Sequence, residues 1–142
     1  MPGSTAAQSA LALITAVERQ LSGAVAADLQ REGVTLEQWR VLSCMDDREG
    51  RPMSGIATDA MVPPPTLTKV VDRLVAANLV HRRSDPLDRR RVLVLLTPRG
   101  RALRQRLDRI VQQHHQDWTD VLGESGLGQL TELLGRLRHV TG

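Results

Sequence analysis

Apolar residues recur three or four positions apart over the first part of the chain. They are Leu13, Ile14, Val17, Leu21, Ala24, Val25 and Leu29. This spacing predicts a long first helix over roughly residues 6–31, with Gly33 just past its end, where a left-handed cap is common. Thr35 is then the predicted N-cap of a second helix, which runs through Met45 and breaks at "DREGRP".

Two shorter helical patterns follow, separated by three consecutive prolines. The first starts at Ser54 and is about two turns long. A residue before proline is biased toward extended backbone, so we expect Val62, Pro63 and Pro64 to be extended and Pro65 to be the first helical residue of the next helix. That helix has one apolar stripe of Leu67, Val70, Val71 and Leu74. Its opposite face presents Thr66, Thr68, Lys69 and Arg73.

Two short strand-like runs come directly after this helix. "LVHRRSD" and "RRVLVLLTP" flank "DPLDRR", whose Asp, Pro and Arg content is typical of a β-hairpin tip. Two short helices joined by a tight turn and followed by a hairpin match a helix-turn-helix with a wing. The tip concentrates Arg89, Arg90 and Arg91, and narrow minor grooves attract inserted Arg side chains. We expect Asp88 to hold one of these arginines in a salt bridge.

The last third of the chain returns to long helical patterns. Thr97 and Pro98 begin a helix as N-cap and first helical residue, and "GESGLG" at 123–128 interrupts it. A last apolar stripe consists of Leu127, Leu130, Leu133, Leu134, Leu137 and Val140. The first and last helices together carry more apolar residues than a small helix-turn-helix unit could cover.

Composition limits the class of protein. The chain has 142 residues, 41% hydrophobic and 25% charged, which is enough for one compact domain with a single core. Phe and Tyr are absent, so Leu, Val, Ile and Ala must build that core, which suits helices. No run of about eighteen apolar residues occurs, and "MPGSTAAQSA" lacks the pattern of a secretory signal. We therefore expect a cytoplasmic protein with no membrane partner.

Positive charge is concentrated in the middle of the chain. Residues 69–109 carry 12 Lys/Arg against 4 Asp/Glu, whereas residues 1–68 carry 5 against 8 and residues 110–142 carry 2 against 4. A basic block between two acidic ends is the electrostatic footprint of a segment that binds a polyanion, and a solvated helix face is the alternative explanation.

The segment Ile56–Leu103, "IATDAMVPPPTLTKVVDRLVAANLVHRRSDPLDRRRVLVLLTPRGRAL", resembles the MarR family of winged helix-turn-helix transcriptional regulators. It follows that family's recognition helix at Thr68, Asp72 and Leu74, its Asp-x-Arg-Arg wing and its Leu-Thr-x-x-Gly helix start, and "TLEQWRVLSCM" looks like its second helix. The resemblance implies a mainly α fold with a small β-hairpin. A winged helix-turn-helix lobe over residues 35–98 would lie between dimerisation helices over residues 1–34 and 99–142.

The resemblance also assigns residues to DNA contact. Those implied are Pro64, Pro65, Thr66, Thr68, Lys69, Arg73, Arg89, Arg90 and Arg91. Arg90 stands where the family's wing enters the minor groove, and Asp88 stands where the family orients that arginine. Two positions depart from the pattern. Asn78 replaces the usual Gly of the turn but tolerates left-handed backbone, and Lys69 replaces the usual Arg and lacks its bidentate fork, which makes base preference there less predictable.

By the same resemblance, the protein would regulate transcription as a sequence-specific binder of double-stranded DNA. We expect a repressor that acts as a homodimer on a palindromic operator and responds to a small aromatic or anionic effector. Trp39 is a candidate for lining the effector pocket, with core packing as its alternative role. No cofactor is expected.

Other chemistries find less support in the sequence. Cys44 is the lone cysteine, so it could act as a redox-sensing thiol or be structural, but it forms no intrachain disulfide. His114, His115 and Asp117 have the residue types of a metal site, yet adjacent residues point to different faces of a helix, so we expect no metal. There is no Gly-rich phosphate loop and no Ser paired with a His and an acid, so we expect no enzyme. Non-specific, architectural DNA binding stays open as an alternative.

Overall fold

The computed structural model of the protein describes residues 2–45 and 48–140. In chain order its elements are α1 (Pro2–Gln30), α2 (Leu36–Ser43), β1 (Arg51–Pro52), α3 (Met53–Ala60), α4 (Pro64–Ala76), β2 (Val80–Ser84), β3 (Val92–Leu96) and α5 (Pro98–Arg138). The strands form one antiparallel sheet in the order β1-β3-β2. The predicted mainly α fold with a hairpin is therefore confirmed, and the two-residue strand β1 adds an edge that the sequence pattern did not indicate.

The junction between α1 and α2 follows the expected capping chemistry. Gly33 has a φ of 73°, which is the left-handed conformation predicted for the end of the first helix. Thr35 and Gln38 form a capping box: the Gln38 amide donates to Thr35 Oγ1 at 3.1 Å, and the Thr35 amide donates to Gln38 Oε1 at 3.0 Å. These contacts fix where α2 begins.

Residues Thr5–Gln30 of α1 are long and apolar enough, by length and composition alone, to cross a membrane. A helix that packs against protein meets the same criterion. Residues 5–20 of α1 are exposed, including Leu13, Ile14 and Val17, whereas Val25 and Leu29 near its end are buried. The two halves of this helix therefore have different surroundings within one chain.

The core lies where α2, α3 and α4 meet the sheet. Its most deeply buried side chains are Leu29, Val41, Leu42, Ile56, Leu67, Val71, Leu74, Val80, Val94 and Leu107. The predicted apolar stripe of the recognition helix is confirmed, because all four of its members are buried. This burial fixes which side of α4 faces away from the protein.

The start of α5 is tied to the backbone before β2. Thr97 is its N-cap as predicted, since its Oγ1 accepts the Gly100 amide at 2.9 Å while its hydroxyl donates to the Asn78 carbonyl at 2.7 Å. Gly100 is packed so closely that a Cβ there would lie 1.9 Å from the Leu79 carbonyl oxygen. Asn78 itself is left-handed at φ 57°, as its place in the turn requires.

The chain divides into two compact units, one up to Asp108 and one from Arg109 onward. Within the first unit, Arg104 Nη1 donates to the Met45 carbonyl at 2.8 Å, and Arg106 pairs with Glu32 at 3.6 Å. Within the second, Gly123 has the non-helical angles φ 73° and ψ 162° and interrupts α5 at the predicted break. The large apolar residues exposed in the second unit are Val121, Leu122, Leu130, Leu133, Leu134, Leu137 and Val140.

Candidate DNA-binding interface

The turn between α3 and α4 is short and closed by backbone hydrogen bonds. Met61 ends α3 in the left-handed conformation, with φ 54° and ψ 42°, and its amide donates to the Thr58 carbonyl at 3.3 Å. The Val62 amide donates to the Ala57 carbonyl at 3.1 Å, and its side chain is buried. The buried Val62 holds the turn against the core and so sets the direction in which α4 leaves it.

The first helical residue of α4 is Pro64, and the prediction of Pro65 is wrong by one position. Pro63 is the N-cap, with φ −57° and ψ 143°, and the Leu67 amide donates to its carbonyl at 2.8 Å. Closing that first turn requires helical backbone at Pro64, which outweighs the extended bias of a residue before proline. Because Pro64 and Pro65 both lack an N–H, the first amide proton of α4 belongs to Thr66.

The exposed side of α4 carries the residues assigned to DNA. Every one of them is solvent-exposed: Pro64, Pro65, Thr66, Thr68, Lys69 and Arg73. The Thr68 hydroxyl donates to the Pro64 carbonyl at 3.1 Å, so in this rotamer its oxygen is left to accept rather than donate. The structure therefore brings these six together on one helix, with two cations among them.

The wing is a regular hairpin with an ordered tip. β2 and β3 pair from Val80 with Leu96 to Ser84 with Val92, and the Asp85 amide closes the hairpin by donating to the Arg91 carbonyl at 2.9 Å. Arg89, Arg90 and Arg91 are all exposed at this tip. Three exposed arginines on a closed loop form a compact positive tip.

Asp88 shapes the tip in a way that differs from the expected salt bridge. Its Oδ1 accepts the Arg90 backbone amide at 3.1 Å, and its carbonyl accepts the Arg91 amide at 2.9 Å. Among residues 2–45 and 48–140, Asp88 has no ion pair with an arginine. An aspartate that accepts an amide two residues on forms a tight local turn, so Asp88 acts on the arginines through their backbone.

Asp72, Arg82 and Asp85 also belong to this region, and the sequence reasoning missed their roles. Asp72 on α4 forms an ion pair with Arg82 on β2. Asp85 is buried, and its Oδ1 accepts the Leu87 amide at 2.9 Å. The signal for Asp85 was its place before a proline at a hairpin tip. For Arg82 the signal was strand alternation, which puts it on the same side as Val80.

The two remaining candidates lie in the first unit, away from these contacts. Trp39 is partly buried, and its Nε1 donates to Asp108 Oδ1 at 3.3 Å. Cys44 is also partly buried, and burial, followed by the nearby Asp59 carboxylate, raises the pKa of its thiol, although Arg51 acts in the opposite direction. A raised pKa keeps the thiol protonated and disfavours a reactive thiolate.

The side chains in the described part of the chain do not form a metal site. The described ranges contain no group of three or more His, Cys, Asp or Glu residues that could hold an ion. His115 instead packs edge-on against Trp118, with ring centroids 6.5 Å apart.

Known proteins share both sequence and architecture with this chain. Residues 34–92, from just before α2 to the first residue of β3, match the MarR family. The HTH-type transcriptional regulator FarR of Neisseria gonorrhoeae is 29% identical over 112 residues, which are 79% of this chain and 77% of that protein. The crystal structure of transcriptional regulator PA4135 matches with a TM-score of 0.78 and 30% identity, over 92% of this chain and 96% of that chain.

A third relative has been solved with two partners. CouR from Rhodococcus jostii RHA1, bound to p-coumaroyl-CoA, matches with a TM-score of 0.80 and 28% identity over 88% of each chain. The transcriptional repressor CouR bound to a 23-mer DNA duplex matches with a TM-score of 0.79 and 26% identity over 89% of each chain. With the winged helix-turn-helix described above, these matches show that the chain belongs to the MarR family of DNA-binding transcriptional regulators and is not an enzyme.

Proposed function

We propose that the protein binds a palindromic operator in double-stranded DNA as a homodimer and represses transcription until a small aromatic or anionic effector releases it. The observation that carries this proposal is the pairing of two exposed basic elements. The N-terminal part of α4 presents Thr66, Thr68 and Lys69, and the wing presents Arg89, Arg90 and Arg91. A helix of this kind fits the major groove, and an arginine tip fits the adjacent minor groove.

The division of labour among these residues follows from their chemistry. Pro64, Pro65, Thr66, Thr68 and Lys69 would meet base edges or the nearby backbone at the start of α4, and Arg73, further along, would meet a phosphate. Arg90 would enter the minor groove, with Arg89 and Arg91 near the flanking phosphates. Asp88 would hold Arg90 in place through the backbone turn at the tip. Base contacts confer specificity and phosphate contacts confer affinity.

A homodimer is supported by apolar surface that a monomer leaves in water. On α1, Leu13 and Ile14 are 65% and 41% exposed, and on the last segment of α5, Leu133 is 54% exposed. Large apolar side chains left exposed on a helix are typical of an interaction surface. We assign residues 1–34 and 99–142 to dimerisation and residues 35–98 to DNA binding. Two-fold symmetry then gives a palindromic operator with half-sites about one helical turn apart.

Control by an effector is supported by the relatives. CouR is a repressor solved with DNA and with p-coumaroyl-CoA, an acyl thioester with an aromatic group and a strongly anionic carrier. An effector that prefers one spacing of the two DNA-binding lobes would shift the population toward or away from the DNA-competent state. Trp39 is our candidate for the pocket wall. We also propose that the protein works in the cytoplasm and that protein, rather than lipid, covers the apolar face of α1.

Selection of bound fragments from a random DNA pool tests the central claim. We expect a palindrome to be recovered. Binding without sequence preference would instead support an architectural DNA-coating protein.

Arg90→Ala tests the wing on the selected site. We expect affinity to fall about tenfold across all sequences and the salt dependence to flatten by about one counterion for each wing, because a minor-groove cation is lost. Arg109→Ala, which removes an equivalent exposed charge from α5, serves as the control and should change neither. A salt slope that Arg90→Ala leaves unchanged would exclude the wing from the interface.

A thiol switch at Cys44 is the second candidate mechanism, and its raised pKa argues against it. Cys44→Ser separates the two. Release from the operator by an oxidant that is lost in Cys44→Ser would favour the redox mechanism over the effector.

A further inference from the structure

One ion pair joins the recognition helix to the wing. Arg82 Nη2 on β2 donates to Asp72 Oδ1 on α4, with the two side chains 35% and 58% exposed. Among the described residues this is the side-chain polar contact that links α4 to the hairpin. It therefore lies between the two elements that must reach neighbouring grooves.

Strand register explains why Arg82 points toward α4. Arg82 lies opposite Val94, which is fully buried, and residues directly opposite each other in antiparallel strands share a face of the sheet. Arg82 therefore projects from the core side of β2, and its aliphatic stem lies along that side while its guanidinium reaches Asp72. Arg83 lies opposite Leu93 and projects from the other face. Two adjacent arginines of one strand thus have different surroundings.

The negative charge of Asp72 is unexpected on a helix proposed to contact DNA. It is the only acidic residue of α4, it is exposed, and it lies one turn beyond Thr68 on a helix that also carries Lys69 and Arg73. A carboxylate on a helix that enters DNA repels phosphates, so on charge alone Asp72 opposes binding. The pairing with Arg82 compensates that charge and attaches α4 to the wing.

We propose that Asp72 and Arg82 are positioning residues that set the angle between the recognition helix and the wing. This inference rests on the proposed function, because it assumes that α4 and Arg90 contact DNA together. Holding two contact elements in their bound arrangement lowers the ordering cost of binding. The pair itself is partly solvated and adds little to folding stability, so its effect belongs to DNA affinity.

The direction in which Asp72→Asn changes DNA affinity distinguishes a positioning role from a simple charge effect. Asp72→Asn removes a negative charge from the DNA-facing helix, so charge alone makes binding tighter. Positioning predicts the opposite: about tenfold weaker binding to the selected operator and little change on non-specific DNA. Hydroxyl-radical footprinting adds a local readout, since protection of the minor groove by the wing should be reduced while protection beside α4 persists.

Adjacent arginines provide a matched pair of variants. Arg82→Gln and Arg83→Gln lose the same charge from the same strand, but only the first breaks the link to α4. We expect Arg82→Gln to bind the operator about tenfold more weakly than Arg83→Gln, with similar urea midpoints for both. The double variant Asp72→Asn/Arg82→Gln should bind no more weakly than either single variant, because the two side chains act as one unit.

The outcomes are distinguishable. Failure of the wild-type protein to bind any DNA overturns the proposed function and this inference with it. Wild-type binding combined with equal or tighter operator binding by Asp72→Asn overturns the positioning role alone. Equal losses in Arg82→Gln and Arg83→Gln would also overturn it, since the loss would then follow total charge.

Discussion

Among the glycines between positions 23 and 135, Gly100 has the least room for a side chain. A Cβ at this position would meet the Leu79 carbonyl oxygen at 1.9 Å and the Leu79 carbonyl carbon at 2.8 Å. Both atoms belong to the backbone, so no side-chain rotation relieves the clash. The absence of a side chain lets the first turn of α5 rest directly on the chain entering β2.

Gly100→Ala should therefore lower the free energy of unfolding by about 3 kcal/mol, because the first turn of α5 must move away from Leu79. Gly23→Ala is the control, since a Cβ on α1 at that position meets nothing within 4 Å. It should be neutral or stabilise by up to about 1 kcal/mol through helix propensity. Urea unfolding with a common m-value measures both, and equal midpoints for the two variants would contradict this view of Gly100.

At the residue scale, the sequence predicted the roles that depend on local chemistry. Thr35, Thr97 and Asn78 were predicted in their capping and turn roles because those roles depend on neighbours a few positions away. The Asp72–Arg82 pair and the Gly100 contact involve residues brought together by packing, which one sequence does not reveal. Asp88 was predicted to bind an arginine side chain, but its carboxylate is already used by the backbone amide of Arg90.

The long helices were predictable from the periodic spacing of their apolar residues. The apolar stripe of α4 was predictable because a buried helical face requires regular apolar spacing. The break at Gly123 was predictable because three glycines lie within the six residues of "GESGLG" and interrupt the helical pattern. The strand β1 was missed because two residues carry no alternation. The one-residue error at Pro64 arose because a local bias was weighed without the hydrogen bond from Leu67 that closes the first turn.

The turn of the helix-turn-helix contains a residue, Met61, whose backbone strain a substitution can relieve. Met61 is left-handed at φ 54° although its side chain has a Cβ, and it is exposed. Met61→Gly should raise the free energy of unfolding by about 1 kcal/mol, because glycine adopts this conformation without steric cost. Asn78→Gly, at φ 57°, is the comparison and should gain less, since asparagine already tolerates it. Thermal unfolding that ranks Asn78→Gly above Met61→Gly would argue against strain at Met61.

For the whole molecule, the exposed apolar residues at both ends of the chain matter most. The sequence already indicated more apolar surface than a small unit could cover, and the structure shows which side chains remain in water. The surface that covers these side chains does not follow from one chain, because an interface between copies includes a second chain. The family relationship supports a homodimer, and solution measurements can test it.

Ile14→Glu should convert the protein to a monomer at micromolar concentration, because it places a charge in the apolar stripe of α1. Ala12→Glu adds the same charge two residues away, on the opposite side of the helix, and should leave the dimer intact. Sedimentation velocity over a range of concentrations distinguishes the two variants. A monomeric wild type, or equal behaviour of both variants, would mean that α1 is not at the interface.

The two prolines that open α4 have a consequence for how recognition can change over time. Since Pro64 and Pro65 contribute no N–H, the end of α4 that we propose to meet DNA displays one backbone donor, at Thr66, and otherwise only side chains. Any mutation that replaces either proline introduces a new amide proton at that surface while loosening the turn. If this end of α4 reads the operator as proposed, replacing one proline changes both the backbone donor pattern and the rigidity of the turn, so operator preference there should shift in one step rather than gradually.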